Sequence, residues 1–99
     1  MGSRLQRRRL EDLQRRLRRA REDAQILEEQ VLVWNDALDD ARIRSLVSET
    51  PLQAQEYEEL SRHVAVANAE LVRRRSEVDA LIRERDELLR AWTPKDENG

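Results

Sequence analysis

Apolar residues recur at alternating intervals of three and four positions along two long segments of this 99-residue chain. The first segment contains ten such positions without a polar interruption: Leu10, Leu13, Leu17, Ala20, Ala24, Leu27, Val31, Trp34, Leu38 and Ala41. The second has two arginines among its members: Tyr57, Leu60, Val64, Ala67, Leu71, Arg74, Val78, Leu81, Arg85, Leu88 and Trp92. A sustained period of 3.5 residues is typical of helices that supercoil around one another through their a and d positions. We call the residues of the two series the seam, and they predict two long helices.

A short break at residues 48–51, Ser-Glu-Thr-Pro, separates the two series. Thr50 is suited to the N-cap of a second helix and Pro51 to its first position, while Gln53 completes a capping box three residues after the cap. Near the end of the chain, Pro94 disfavours a helical conformation of the residue before it. The sequence therefore predicts a leader over 1–3, helix 1 over 4–47, a turn over 48–50, helix 2 over 51–92 and a disordered polar tail over 93–99.

The two halves of the seam fit each other when the chain folds back at this break. If Ala41 is placed opposite Tyr57, residue n lies opposite residue 98 minus n along both helices, and every a position meets a d position. This pairing is the one that antiparallel coiled coils require. We therefore predict an all-α fold, a long antiparallel two-helix coiled-coil hairpin, and expect two hairpins to pair into a four-helix bundle.

Further apolar residues lie outside the seam, where a two-helix coiled coil gives them no burial. They widen the apolar face beyond the a and d stripe, as in helices that contact more than one neighbour. Self-association or docking on a protein partner would bury them, and scattered exposure without consequence is the remaining alternative. The residues that we select as an oligomer or partner face are Ile26, Leu32, Val33, Val72, Ile82 and Leu89.

The charges are segregated along the chain, although the formal net charge is only −2. Residues 1–21 hold nine arginines and two carboxylates, whereas residues 22–59 hold eleven carboxylates and two arginines. Arginines in the first helical turns oppose the helix dipole, so helix stability does not explain them. The candidate anion-binding residues are Arg4, Arg7, Arg8, Arg9, Arg15, Arg16, Arg18 and Arg19.

Two interpretations of this arginine-rich segment remain open. It could contact the phosphates of a nucleic acid or of an anionic membrane surface. Alternatively, it is a solvated helix face whose arginines pair with carboxylates four positions away, as Arg7 could with Glu11 and Arg18 with Glu22. No aromatic residue is interleaved with the arginines, so stacking on bases is not expected.

Composition and motifs argue against an enzyme, a metal site and a membrane protein. The chain has no cysteine, one histidine and two glycines, which leaves too few residues for a metal site or a phosphate-binding loop. No signature of a catalytic site occurs, and no apolar run approaches the roughly 18 residues of a membrane span. We therefore expect no catalytic residues, no cofactor, no metal, no small-molecule substrate and no membrane span, and a cytoplasmic location.

These observations together predict a non-enzymatic structural or scaffolding module. Its coiled-coil faces would mediate self-association, most simply as a homodimer, or interaction with another protein. The alternative function is binding of nucleic acid, or of an anionic surface, through the arginine-rich N-terminal segment of helix 1. A hairpin outline is shared by many unrelated proteins, so it assigns the chain to no family.

Overall fold

The chain folds into an antiparallel helical hairpin in a computed structural model that describes residues 2–92, with side chains from Arg4 onward. Its two helices are α1 (Gly2–Ser48) and α2 (Pro51–Trp92), and no strand occurs between residues 2 and 92. This confirms the predicted all-α hairpin. Helix α1 begins two residues before the predicted start and ends one residue after the predicted end, so residues 2 and 3 of the expected leader are helical. The predicted tail over 93–99 lies outside the described residues.

Helix α1 ends in a left-handed residue that is not a glycine. Glu49 has φ 55°, and its N–H donates a hydrogen bond to the carbonyl of Ser45 at 3.1 Å. This is the αL motif, in which the residue after the helix satisfies one of the last free carbonyls. The hydroxyl of Ser48 donates a hydrogen bond to the carbonyl of Arg44, one turn earlier in α1. The chain is thus turned out of α1 without a glycine.

Helix α2 begins at the N-cap that the sequence predicts. The side-chain Oγ1 of Thr50 accepts a hydrogen bond from the backbone N–H of Gln53 at 3.2 Å. The carbonyl of Thr50 accepts a bond from the N–H of Ala54 at 3.1 Å, the first backbone bond of the helix. Pro51 follows at the first helical position, where its missing N–H costs nothing. Side-chain capping and the proline together fix the start of α2.

Burial follows the seam in both helices. All nine buried apolar side chains of the described region belong to it: Leu13, Leu17, Ala20, Val31, Ala41, Val64, Ala67, Leu71 and Leu81. The other seam residues are half-buried, and no polar or charged side chain is fully buried in the part of the chain that the structure describes. Burying a Leu or Val side chain stabilises a fold by about 1.5–3 kcal/mol, and an alanine contributes far less. Three of the nine are alanines, so the hairpin has a thin core.

Contacts divide the hairpin into two units. Among the described residues, unit 1 comprises residues 2–23 and 74–92, and its core cluster consists of Leu13, Leu17, Ala20 and Leu81. Both members of one pair expected from the register, Leu17 and Leu81, belong to this cluster. Ile82 packs against the same cluster and is half-buried. This contradicts the expectation that Ile82 has no burial in a two-helix hairpin, because its side chain packs against the core cluster from the flank of the seam.

Unit 2 comprises residues 24–73 and contains the turn. Its core cluster consists of Val31, Ala67 and Leu71, with Leu27 and Trp34 packed against it. Val31 with Ala67, and Leu27 with Leu71, are again pairs expected from the register. Each unit therefore has its own small apolar core, built from seam residues of both helices.

Candidate interaction surfaces

Exposed aliphatic side chains are concentrated in unit 2. Nine large aliphatic side chains of this unit are exposed, by fractions that range from 56% for Ile26 to 79% for Val47. We call them the apolar surface: Ile26, Leu32, Val33, Ile43, Leu46, Val47, Leu52, Val66 and Val72. In the described part of unit 1, only Leu5 and Leu89 are exposed in the same way. Unit 2 thus presents most of the apolar side chains that the fold leaves in water.

The six residues selected from the sequence as an oligomer face do not share one environment. Four of them, Ile26, Leu32, Val33 and Val72, are exposed on unit 2. Leu89 belongs to unit 1 and is 36% exposed, while Ile82 belongs to the packed flank of the unit 1 core. Four of the six residues are thus exposed together on unit 2, and the other two lie on unit 1.

A shallow groove on α1 joins the apolar surface to the core of unit 2. It is lined by Ile26 and Val33, which lie one heptad apart, together with Glu29, Gln30 and Trp34. Trp34 also packs against the core cluster of unit 2, so one indole belongs to both the core and the groove.

The indole of Trp34 also meets the single histidine of the chain. Its ring lies edge to face with the imidazole of His63, with ring centroids 4.7 Å apart and an interplanar angle of 74°. Aromatic pairs prefer this geometry. The heptad pattern does not predict this contact, because it places Trp34 in the seam and His63 beside the seam.

The arginines of residues 4–21 form the second candidate surface. All are exposed, and they lie on α1 in unit 1. We call them the arginine surface: Arg4, Arg7, Arg8, Arg9, Arg15, Arg16, Arg18, Arg19 and Arg21. The eight candidate anion-binding residues selected from the sequence are all among them.

Only one of these arginines forms an ion pair with another described residue. Nη2 of Arg15 lies 3.6 Å from Oδ1 of Asp12, and both side chains are more than half exposed. The pairs that the sequence allows on a solvated face, Arg7 with Glu11 and Arg18 with Glu22, are not formed between residues 4 and 92. Most of the guanidinium groups of this surface are therefore not engaged in an ion pair with a described residue.

Two surface depressions of unit 1 are bordered by these arginines. One lies on α1 alone and is lined by Arg15, Arg18, Arg19 and Glu22, so that three guanidinium groups face one carboxylate. The other is lined by Ala20 together with three arginines and three carboxylates: Asp12, Arg15, Arg16, Arg19, Asp23 and Glu77. The first depression carries an excess of positive charge, whereas the second is balanced.

The two units differ in sign of charge. The described residues of unit 1 hold fourteen arginines and nine carboxylates, a formal net charge of +5. Unit 2 holds four arginines and ten carboxylates, a formal net charge of −6. The apolar surface thus lies in an acidic unit and the arginine surface in a basic one.

Residues 2–92 contain neither a membrane-spanning helix nor a group of side chains suited to a metal ion. Neither helix contains an apolar stretch of the length needed to cross a lipid bilayer. Within the same range, no three histidine or carboxylate side chains are grouped so that they could hold a metal ion. Comparisons with protein-family models, curated proteins and solved structures find no match to this chain. Function is therefore inferred from the two surfaces themselves.

Proposed function

We propose that this protein is a non-enzymatic interaction module that self-associates through the apolar surface of unit 2. The supporting observation is the concentration of nine exposed aliphatic side chains on that unit. Monomeric proteins expose apolar side chains singly, whereas contiguous exposed groups mark sites of protein interaction. Removing such side chains from water is the main favourable contribution to most protein association.

The spacing of the apolar surface favours a helix as its occupant. Ile26 and Val33 lie seven residues apart on α1, and Val47 falls fourteen residues after Val33. Leu32 and Leu46 repeat at the same fourteen-residue interval on the adjacent stripe. Asp40 and Asp39 occupy the intervening heptad positions, so each stripe is apolar on both sides of one acidic position. Apolar residues at multiples of seven line a helix face that another helix can pack against.

A second copy of this chain supplies such a helix with a matching stripe. Most soluble oligomers are symmetric homo-oligomers, and a two-fold axis pairs one surface patch with itself. Two hairpins joined in this way would form the four-helix bundle expected from the sequence. Docking of unit 2 on a protein of different sequence is the competing outcome, and it predicts a chain that stays monomeric alone.

Sedimentation equilibrium of the full chain and of the double variant Ile26→Gln/Val33→Gln tests the proposal. We expect the wild-type chain to show about twice its monomer mass of 11.7 kDa. The dissociation constant of the double variant's dimer should be at least tenfold higher, because the variant lacks two exposed apolar side chains at the groove. Glutamine has a higher helix propensity than isoleucine or valine, so the circular dichroism of the helices should not decrease.

A matched control removes two exposed leucines from unit 1. The variant Leu5→Gln/Leu89→Gln should keep the wild-type mass, since neither residue belongs to the apolar surface. A wild-type chain that is monomeric at every concentration would contradict self-association. Dissociation of the control, with an intact Ile26→Gln/Val33→Gln oligomer, would place the interface on unit 1.

A further inference from the structure

We infer that the arginine surface binds the phosphate backbone of double-stranded nucleic acid, without preference for sequence. This binding is independent of the self-association proposed above, because the arginines lie on unit 1 and the apolar surface on unit 2. The starting observation is that eight of the nine arginines form no ion pair with any described residue, in a unit whose described residues carry a net charge of +5. A guanidinium group in this state is available to an external anion.

The arginines also have a suitable arrangement. Four of them follow one another at intervals of four, seven and three residues, and so share one face of α1: Arg4, Arg8, Arg15 and Arg18. At 1.5 Å per residue, this row extends over about 21 Å. Duplex DNA carries one negative charge per roughly 1.7 Å of its axis, so several phosphates lie within reach of such a row. Guanidinium groups bind phosphates with two parallel hydrogen bonds, which a lysine cannot do.

The fold directs this row away from the protein. In unit 1 the opposite face of α1 is occupied, because Leu13, Leu17 and Ala20 are buried in the core cluster with Leu81. Helical geometry therefore places the row on the outer side of unit 1. A rigid helix that holds its arginines outward can bind a surface without first folding, which lowers the entropic cost of binding.

The aromatic residues favour a duplex over a single strand. Proteins that bind single strands commonly stack bases on aromatic side chains. No aromatic residue occurs among residues 4–21; Trp34 and Tyr57 belong to unit 2, and Trp92, at the end of α2, is a half-buried aromatic residue of unit 1. The arginine surface itself thus offers only backbone contacts, and these carry no sequence information by themselves.

The burial pattern favours nucleic acid over an anionic membrane. A basic helix that lies on a membrane inserts an apolar face between the lipids. Here the apolar face of this segment is buried against α2, and Leu5 is the one large aliphatic side chain exposed between residues 4 and 21. Lipid headgroups would therefore meet charge without the apolar insertion that strengthens membrane binding.

Fluorescence anisotropy with a labelled 20-base-pair duplex of arbitrary sequence tests this inference. At about four phosphate contacts, we expect the affinity of the full chain to fall roughly 100-fold between 50 and 200 mM NaCl. The variant Arg15→Gln/Arg18→Gln/Arg19→Gln removes the three guanidinium groups of the α1 depression. Its affinity for the duplex at 50 mM NaCl should be at least tenfold lower than that of the wild-type chain. The slope of log affinity against log salt concentration should decrease in magnitude by about two to three, or about one for each phosphate contact that is lost.

A control variant with the same net charge as the first triple variant distinguishes binding by the arginine surface from general electrostatic attraction between the protein and the duplex. Arg42→Gln/Arg44→Gln/Arg62→Gln also removes three exposed arginines, but from unit 2. It should change the affinity less than threefold, and circular dichroism should show unchanged helix content in both triple variants, because arginine and glutamine have similar helix propensities.

Four results would overturn the inference. The first is no binding of the duplex at 50 mM NaCl, and the second is an equal loss in the two triple variants. The third is an equal affinity for a single strand of the same length, which would contradict recognition of a duplex. The fourth is binding to vesicles of phosphatidylserine and phosphatidylcholine at salt concentrations at which the duplex is released, which would identify the ligand as a membrane.

Discussion

Glu49 holds the left-handed conformation that turns the chain out of α1, and it is the one non-glycine residue with positive φ in the described part of the chain. A residue with a β-carbon pays about 1–2 kcal/mol for this conformation. The sequence predicted a turn here from Thr50 and Pro51, and the N-cap bond to Thr50 confirms the start of α2. The conformation of Glu49 was not predictable, because glycine or asparagine usually marks such a position and the chain has neither there.

Replacing Glu49 with glycine should therefore stabilise the hairpin. We expect Glu49→Gly to raise the free energy of unfolding by about 0.5–1 kcal/mol, measured by urea denaturation, because glycine adopts positive φ without a steric penalty. The gain is smaller than the steric cost, since glycine also increases the entropy of the unfolded chain. Glu49→Ala is the control, as it removes the same charge but keeps a β-carbon. An equal gain in both variants would assign the effect to charge and not to the backbone.

At the level of the helices, the heptad pattern determined the buried face but not its width. All nine buried residues of the described region are seam residues, because the a and d positions face the other helix whatever surrounds them. Ile82 lies beside the seam and is nevertheless packed on the unit 1 core, whereas Val72, also beside it, is exposed. Burial of a flanking residue depends on the local approach of the two helices, which a period of 3.5 does not encode.

Helix α1 lacks the charges that usually stabilise helix ends. It has no acidic residue in its first turn and no basic residue in its last turn. Arg4→Glu should therefore raise the free energy of unfolding by about 0.3–1 kcal/mol at low salt, because a negative charge near the N-terminus interacts favourably with the helix dipole. Urea denaturation at 20 mM and 500 mM NaCl checks the origin of the gain, since salt should remove most of it.

Arg4→Gln is the matched control for this change. It removes the positive charge without adding a negative one, so it should give a smaller gain. The same Arg4→Glu substitution should weaken binding of the duplex if the arginine surface acts as inferred above. A more stable helix with an unchanged affinity would remove Arg4 from the binding row.

In the whole molecule, the apolar surface and the arginine surface belong to different units, and these units carry net charges of opposite sign. The apolar surface belongs to a unit with a net charge of −6, and the arginine surface to a unit with a net charge of +5. The sequence alone predicted this segregation of charge, because charge can be counted along the chain. It could not predict that the candidate ion pairs along α1 remain unformed, since that depends on side-chain geometry.

This division predicts that salt has opposite effects on the two interactions. Two copies joined through unit 2 bring together surfaces of the same negative sign, so raising NaCl from 50 to 500 mM should strengthen self-association by screening their repulsion. The same increase should release a bound duplex, because salt competes with guanidinium groups for the phosphates. Sedimentation equilibrium and anisotropy on one preparation measure both quantities. If self-association instead weakens in parallel with duplex binding, arginine–carboxylate contacts between copies hold the oligomer, and the apolar surface is not its interface.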